Sequence, residues 1–233
     1  MWRPESVVSF ELSEEERMVQ QVAHEFAKKE IRPVAAYYDE HEEVPYEIIK
    51  KAAGLGFGVS RAGSVLDGSS SSLIPCILSE ELSWGCAGIA LAINSSGLAG
   101  AAIMATGSPE QREEWMARIS SDENEVHLGA MCLTEPDAGS DVANIQTTVT
   151  RDGDDYILNG NKVYISGGTV ADWLTVFART GGVSQGTSIT RGPSSTLMMR
   201  SPSESAARLT SAPHTSKCLV QRTRGARRWS HTG

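Results

Sequence analysis

The hydrophobic positions in the first half of the chain recur at helical spacing. The tetrapeptide Ser13-Glu14-Glu15-Glu16 has the form of a capping box, in which the Ser hydroxyl caps the first turn and the last Glu reaches back. Apolar side chains follow at intervals that place them along one side of a helix: Met18, Val22, Phe26, Ala27 and Ile31. This pattern predicts an amphipathic helix of about five turns that ends before Pro33.

Further helices are predicted where capping residues, Pro or Gly bracket apolar positions, at 45–54, 75–84 and 108–119. In the last of these, Ser108 is the expected N-cap, Pro109 takes the first helical position, and Trp115 and Ile119 form the core face. Residues 58–72 are rich in Gly and Ser without an apolar period, so they are interpreted as a loop.

The run 88–105 consists almost entirely of small and apolar residues. Its length alone is compatible with a membrane span. Asn94, Ser95, Ser96 and the glycines inside the run favour a closely packed interior helix instead, because small residues permit close contact and polar ones are costly in lipid.

After residue 122 the pattern changes from helical to alternating, which indicates a domain boundary. Strands are predicted at 126–133, 147–151, 156–158, 162–166 and 173–178. Asp152-Gly153 and Asn159-Gly160 tolerate positive φ and predict two hairpin turns, so the strands are expected to form an antiparallel meander. The predicted fold class is α+β, with an N-terminal all-α helical domain over 10–122 followed by an incomplete antiparallel β domain over 123–180.

Charge separates the last part of the chain from the rest. The net charge is −8, yet residues 181–233 hold eight Lys and Arg against one acid, which leaves 13 bases and 28 acids in residues 1–180. An acidic body argues against a nucleic-acid partner. The Ser/Thr/Arg-rich end has no sustained period and predicts an irregular basic tail, which is either disordered or foreign to the fold. The second alternative is favoured because the predicted meander is cut off at Thr180.

Composition removes several other classes of protein. The chain has 233 residues with 40% hydrophobic content, which is enough to bury a core. Neither a signal sequence nor a membrane span is predicted, so a cytoplasmic location is expected, with the mitochondrial matrix as the alternative. The four cysteines form no CxxC pair and have no His at ligand spacing, so neither a metal site nor a disulfide framework is predicted.

Two motifs are more specific than any other part of the sequence. Residues 131–141 read Met-Cys-Leu-Thr-Glu-Pro-Asp-Ala-Gly-Ser-Asp, where Pro136 restrains the backbone and Gly139 frees it, as in a loop that touches a ligand. Residues 155–168 read Asp-Tyr-Ile-Leu-Asn-Gly-Asn-Lys-Val-Tyr-Ile-Ser-Gly-Gly. In this order, after the helices, the two motifs resemble the FAD-dependent acyl-CoA dehydrogenases over roughly residues 10–182. Residues 79–86 look like those of the short- and medium-chain members.

The resemblance implies FAD as the cofactor, with contacts from eight residues: Met131, Leu133, Thr134, Gly139, Ser140, Tyr164, Ile165 and Ser166. The Thr134 hydroxyl would donate to the pyrimidine end of the flavin, where reduction places negative charge. Ser166 would contact the ring and Tyr164 would flank it. Gly139 would let the backbone approach the FAD pyrophosphate, and Ser140 would hydrogen-bond that pyrophosphate and the pantetheine of the acyl-CoA substrate. Two plainer interpretations stay open, namely Thr134 as a cap of the strand end and Tyr164 as an ordinary strand aromatic. Cys132 is interpreted as core packing.

The activity implied by the family is α,β-desaturation of acyl-CoA thioesters in fatty acid β-oxidation, with an electron-transfer flavoprotein as the electron acceptor and homo-oligomeric full-length relatives. The catalytic Glu of the family lies in a C-terminal helical bundle that is expected to be missing here, so no catalytic residue is assigned. Residues 61–68 depart from the family pattern, which leaves the acyl-chain length open. The alternatives are a truncated, non-catalytic binding or assembly remnant and, with less support, an acyl-CoA oxidase.

Overall fold

The computed structural model describes residues 11–58, 71–152 and 155–180, together with four strands at 194–200, 207–212, 215–220 and 227–229. Most of the loop predicted at 58–72, including the segment 61–68, lies outside the described residues. The same holds for the rest of the segment 181–233 between and after those strands.

Six α-helices occupy the first described part of the chain: α1 Glu14–Phe26, α2 Ala35–His41, α3 Tyr46–Gly54, α4 Ile74–Gly85, α5 Ala87–Thr106 and α6 Pro109–Ile119. A π-helical turn, Ala27–Ile31, continues α1, so the predicted five-turn helix is confirmed. Its buried stripe is shifted, because Val19 and Ala23 are buried whereas Met18 and Val22 are exposed. Helix α2 was not predicted, since none of its residues is buried and its sequence therefore carries no apolar period.

Both predicted N-caps form complete capping boxes. The Glu16 amide donates to the Ser13 hydroxyl at 3.3 Å, and the Ser13 amide donates to the Glu16 carboxylate at 2.7 Å. At the start of α6, the Gln111 amide donates to Ser108 Oγ at 3.3 Å, and the Ser108 amide donates to the Gln111 side-chain oxygen at 2.9 Å. Each box satisfies two backbone groups that a helix end leaves without partners.

We expect Ser108→Ala to lower the free energy of unfolding by about 1 kcal/mol, because the Gln111 amide loses its acceptor. Urea denaturation of the full chain measures this loss. Ser79→Ala is the matched control, because Ser79 is an exposed residue inside α4. This substitution is expected to leave the free energy of unfolding unchanged or to raise it by roughly a few tenths of a kcal/mol. Equal losses in the two variants would show that capping is not the cause.

Helix α5 joins the helical domain to the sheet. Its buried side chains belong to both the helical core and a smaller cluster with Trp115 and Ile119, which confirms the core face predicted for α6. Over the described residues, Ala87–Ala105 is the one stretch long and apolar enough to cross a membrane by length and composition, and 39% of its window is buried. The predicted interior helix is thus buried on one side only, since Leu91 and Leu98 remain exposed.

Nine strands follow in the described part of the chain: β1 Gly129–Cys132, β2 Thr148–Asp152, β3 Asp155–Asn159, β4 Asn161–Lys162, β5 Trp173–Thr180, β6 Ser194–Arg200, β7 Ala207–Ala212, β8 Thr215–Val220 and β9 Arg227–Trp229. The larger sheet has the order β3-β2-β5-β6-β9, with β1 also paired to β5. The smaller sheet has the order β4-β8-β7. The predicted sequence of a helical domain and then a sheet domain is confirmed.

The strand pairing differs from the predicted meander. Strands β2 and β3 form the expected antiparallel hairpin, but β5 runs parallel to both β1 and β2. Strand β4 pairs with β8 and not with β3, so Asn159-Gly160 is not a hairpin turn. Gly160 is required for another reason, because a Cβ at this position would lie 2.6 Å from Thr147 Cα.

The segment after Thr180 also differs from its prediction where it is described. No strand was predicted there, yet β6 pairs with β5 over seven residue pairs and β8 pairs with β7 over six. The local sequence does not reveal β6, because this strand depends on hydrogen bonds to a partner, the open edge of β5. The predicted division of the chain into 10–122, 123–180 and 181–233 stays a prediction.

Close contacts fix α5 against the larger sheet. A Cβ at Gly129 would lie 2.6 Å from the Ala99 Cβ, so only Gly permits this approach of β1 to the helix. The Thr175 hydroxyl donates to the Ala99 carbonyl oxygen at 2.7 Å, and the Ser96 hydroxyl donates to the His127 carbonyl oxygen at 2.6 Å. The exposed side of α5 is thereby held beside the end of β1.

Candidate functional site

A cavity of about 460 Å³ lies between the helical domain and the sheet domain. The turn from α2 to α3 forms one wall, and the exposed side of α5 forms the second. The third wall consists of the segment 128–134 at β1 and the segment 164–170 that follows β4. The cavity therefore occupies the junction that α5 and β1 hold in place.

Six of the eight predicted cofactor contacts line this cavity: Met131, Leu133, Thr134, Tyr164, Ile165 and Ser166. They come from two segments about thirty residues apart in sequence. Gly139 and Ser140 are exposed on the turn that follows the first segment and are not part of the lining. The structure thus brings together the residues assigned to the flavin ring and separates them from the pair assigned to the pyrophosphate.

The alternation of strand β1 explains which side chains of the first segment face the cavity. Cys132 is buried in the sheet core at 1% exposure, which confirms its interpretation as a packing residue. Met131 and Leu133, on either side of it, are half-buried and line the cavity. Successive residues of a strand point to opposite faces, so the core contact of Cys132 directs its neighbours outward.

Tyr164 is not an ordinary strand aromatic. Strand β4 ends at Lys162, and Tyr164 has φ 57°, a left-handed conformation that bulky residues rarely adopt. Its side chain is 71% exposed at the cavity. The turn that follows is closed by hydrogen bonds from the amides of Gly168 and Ala171 to the carbonyl oxygens of Ile165 and Gly167, at 3.0 and 2.9 Å. A bulky residue held in this conformation is typical of functional sites.

A buried ion pair that the sequence did not reveal joins the two cavity segments. Lys162 Nζ lies 2.7 Å from Glu135 Oε1, and the two side chains are 3% and 5% exposed. The ammonium also donates to the Leu133 carbonyl oxygen at 2.9 Å. The Glu135 carboxylate accepts from the backbone amides of Thr147 at 2.9 Å and Gln146 at 2.5 Å. From sequence alone, charged residues are predicted to be exposed. The one sequence signal for this buried pair is that Glu135 and Lys162 each lie inside one of the two motifs.

The hydrogen bonds keep Glu135 ionised despite its burial. Burial acts to raise the pKa of the Glu135 carboxyl, but the bonds from Gln146, Lys162 and Thr147 outweigh it, so this pKa lies below its ordinary value. Burial lowers the pKa of the Lys162 ammonium, and the Glu135 carboxylate opposes that shift. The direct contact between the carboxylate and the ammonium favours the charged form of each group.

The other walls combine apolar surface with a few polar groups. Leu91 and Leu98 present apolar side chains from α5, and Val170 does so from the opposite segment. Ser95 Oγ lies in the α5 wall, is inaccessible to solvent, and makes no hydrogen bond with any residue that the structure describes. Cavities of this composition suit ligands that have a large apolar body and a few polar atoms.

Comparison with protein families assigns most of the chain. The profile described as "Acyl-CoA dehydrogenase, N-terminal domain" matches residues 13–123. The profile described as "Acyl-CoA dehydrogenase, middle domain" matches residues 130–216. The change from one profile to the next coincides with the start of the sheet domain.

Individual relatives agree with this assignment. The chain is 36% identical over 173 residues to a probable medium-chain specific acyl-CoA dehydrogenase of Caenorhabditis briggsae, a match that covers 74% of this chain and 42% of the relative. It is 35% identical over 176 residues to a short-chain specific acyl-CoA dehydrogenase of Clostridium acetobutylicum, covering 74% and 45%. The chain therefore spans less than half the length of these relatives.

A solved structure shows the same fold. The glutaryl-CoA dehydrogenase of Mycobacterium smegmatis in complex with FADH2 superposes with a TM-score of 0.73 at 25% identity. The match covers 94% of this chain and 54% of that chain. As with the sequence relatives, the likeness extends over most of this chain and over about half of the other.

Proposed function

Since this chain belongs to the acyl-CoA dehydrogenase family, we propose that its central cavity is the part of an FAD and acyl-CoA site that binds the flavin ring. The observation that carries the proposal is the convergence of six motif residues on one cavity. These residues lie in two segments, 131–134 and 164–166, that the fold holds side by side. A chance arrangement of two separate motifs around one cavity is improbable.

The chemistry of the walls fits this cofactor. A flavin ring has a large flat apolar body with polar atoms at its edge, and the cavity is lined by apolar residues of α5 together with the polar residues Thr134 and Ser166. Residues that hold the ring are thus Met131, Leu133, Thr134, Tyr164, Ile165 and Ser166.

When bound, FAD would supply the acceptor for the hydride that leaves the β-carbon of an acyl-CoA thioester, and the α-proton would pass to a base. This chain's contribution is binding and orientation. The Thr134 hydroxyl would donate a hydrogen bond to the edge of the ring where negative charge develops on reduction. We assign no catalytic base to this chain.

Gly139 and Ser140 have a different role in the proposal. Because they lie on an exposed turn and not in the cavity wall, they are suited to the extended parts of the ligands. Ser140 contacts the pyrophosphate of FAD and the pantetheine of acyl-CoA, and Gly139 allows close approach, since no heavy atom lies within 4 Å of a Cβ placed there.

The proposed partners follow the family. Acyl-CoA is the substrate, an electron-transfer flavoprotein removes the electrons, and the complete enzyme is a homo-oligomer of fatty acid β-oxidation. The curated relatives that match include a mitochondrial and a bacterial enzyme, so the proposal admits the mitochondrial matrix and the cytoplasm. The second candidate function is binding of a ligand or partner at the same cavity without catalysis.

We expect Thr134→Val to weaken FAD binding by about tenfold, because one hydrogen bond to a charged or polar ligand atom is lost while the side-chain volume is kept. Quenching of flavin fluorescence on titration measures the dissociation constant. Thr150→Val is the matched control, since Thr150 is an exposed residue of β2 outside the cavity wall. Equal affinities for the two variants would exclude a contact from the Thr134 hydroxyl.

Anaerobic addition of acyl-CoA to the FAD-loaded chain separates the two candidate functions. A dehydrogenase loses its visible flavin absorbance when an acyl-CoA of suitable length is added. A binding fragment keeps that absorbance with every acyl-CoA, although a chemical reductant still removes it. A chain that takes up no FAD would overturn the proposal as a whole.

A further inference from the structure

The buried Glu135–Lys162 pair lies behind the wall of the cavity and not in it. Neither residue lines the cavity, yet each lies next to a residue or segment that does line it. Glu135 follows Thr134 directly, and Lys162 stands two residues before Tyr164. The pair therefore has the position of a support for the two lining segments.

Stability alone does not account for this ion pair. The two side chains are 3% and 5% exposed, so both charges have lost nearly all their hydration. The mutual attraction of such a pair roughly offsets this loss, and apolar residues of the same volume often stabilise a fold equally well. A polar network in this position instead fixes one arrangement of the backbone, provided that its donors and acceptors are satisfied.

The hydrogen bonds of the network converge on the backbone at Thr134. Lys162 Nζ donates to the Leu133 carbonyl oxygen at 2.9 Å, which fixes the peptide plane before Thr134. The Val163 amide donates to the Thr134 carbonyl oxygen at 3.0 Å, which fixes the peptide plane after it. Two fixed peptide planes determine φ and ψ of the residue between them, and hence the direction in which its side chain leaves the backbone.

The carboxylate anchors this arrangement to the sheet. Glu135 accepts from the amides of Gln146 and Thr147, immediately before β2, at 2.5 and 2.9 Å. Lys162 is itself a residue of β4. One ion pair thus connects the segment after β1, the start of β2 and the end of β4.

We propose that the Glu135–Lys162 pair is a positioning device that, together with the backbone bond from the Val163 amide, fixes the two peptide planes of Thr134 and thereby directs its side chain at the ligand of the cavity. The inference rests on the proposed function, because FAD is the ligand to which that hydroxyl is assigned. Neither side chain touches the ligand. Both act through Thr134 and through the segment that begins at Val163.

The double variant Glu135→Gln/Lys162→Met in the full chain tests this role, since removal of both charges leaves no unpaired ion in the interior. We expect it to remain folded, with exchange of the Val163 amide hydrogen accelerated about tenfold or more and the dissociation constant for FAD raised about tenfold. Exchange is followed by NMR without ligand, and affinity by flavin fluorescence. The matched control Glu30→Gln/Lys51→Met removes an exposed pair at 2.5 Å and is expected to change neither value.

Unchanged FAD affinity in the folded double variant would overturn the inference, whether or not the Val163 amide exchanges faster. If even the unaltered chain fails to bind FAD, the proposed function fails; accelerated exchange at Val163 then still supports the positioning role, and unchanged exchange overturns it. Glu135→Asp gives an independent check, because it keeps the charge but is one methylene too short to reach Lys162 and both amides. It is expected to weaken FAD binding as well, and an unchanged affinity would count against the inference.

Discussion

Lys162→Met is expected to lower the free energy of unfolding by about 3–5 kcal/mol, the largest effect of any single substitution considered for this protein. The substitution removes the ammonium 2.7 Å from Glu135 Oε1 and leaves a carboxylate that is 5% exposed without its counter-charge. It also leaves the Leu133 carbonyl oxygen without the donor at 2.9 Å. Equilibrium denaturation in urea measures the loss.

Two comparisons identify the unpaired charge as the cause. The double variant Glu135→Gln/Lys162→Met is expected to lose about 2 kcal/mol less than the sum of the two single variants, because the pair is removed as a unit. In Lys162→Met the pKa of the Glu135 carboxyl is expected to be higher than in the unaltered chain, because burial raises it and the hydrogen bond from Lys162 no longer lowers it. The loss in free energy of unfolding relative to the unaltered chain then becomes smaller as pH falls through that pKa, because the carboxyl becomes neutral. Additive losses with no pH dependence would indicate a packing defect instead.

Gly160→Ala is expected to cost about 3 kcal/mol, near the upper end of the range for overpacked sites. The added Cβ would lie 2.6 Å from Thr147 Cα, a backbone atom that cannot rotate away as a side chain can. Displacing Thr147 would also lengthen the bond from its amide to Glu135 Oε1, now 2.9 Å. The measurement is the urea unfolding midpoint, read together with the slope of the transition.

Gly139→Ala is the matched control for Gly160→Ala. No heavy atom lies within 4 Å of a Cβ at Gly139, and this glycine is not among those with positive φ. Alanine is therefore expected to stabilise the chain there by about 0.4–1 kcal/mol, through a smaller loss of backbone entropy on folding. If Gly160→Ala is as well tolerated as Gly139→Ala, the close approach of Gly160 to Thr147 is wrong.

Local features predicted the helices well because each carries its own information. Ser13 and Ser108 lie three residues before Glu16 and Gln111, which is the spacing of a capping box, and both boxes form as predicted. Helix α2 shows the limit of such patterns, since a helix with no buried residue has no stripe to recognise. Within the first helix, the stripe was placed one residue off, on Met18 and Val22, because apolar side chains occupy two adjacent faces.

Strand partners were harder to predict because pairing is decided in three dimensions. Period and β-branched residues located β1, β2, β3 and β5, but they do not show that β5 lies parallel to β1. Asn159-Gly160 has the composition of a hairpin turn, yet its glycine is selected for close packing against Thr147. A turn dipeptide thus has two physical explanations, and only the structure separates them.

The candidate site was predicted as a set of contacts and not as a supported structure. The motif resemblance located six residues of the cavity wall, including Thr134 and Tyr164. It did not locate the Glu135–Lys162 pair, because the partners are 27 residues apart and a lone Lys is interpreted as a surface residue. Nor did it predict the left-handed backbone of Tyr164, because a strand was predicted at this position.

Hydrogen–deuterium exchange with and without FAD tests most directly whether this cavity is the flavin side of an acyl-CoA dehydrogenase site. We expect saturating FAD to slow exchange in the two lining segments, 131–134 and 164–166, and to leave exchange at the surface of α1 and α3 unchanged. Protection confined to α1 and α3, or no protection anywhere in the chain at saturating FAD, would contradict it.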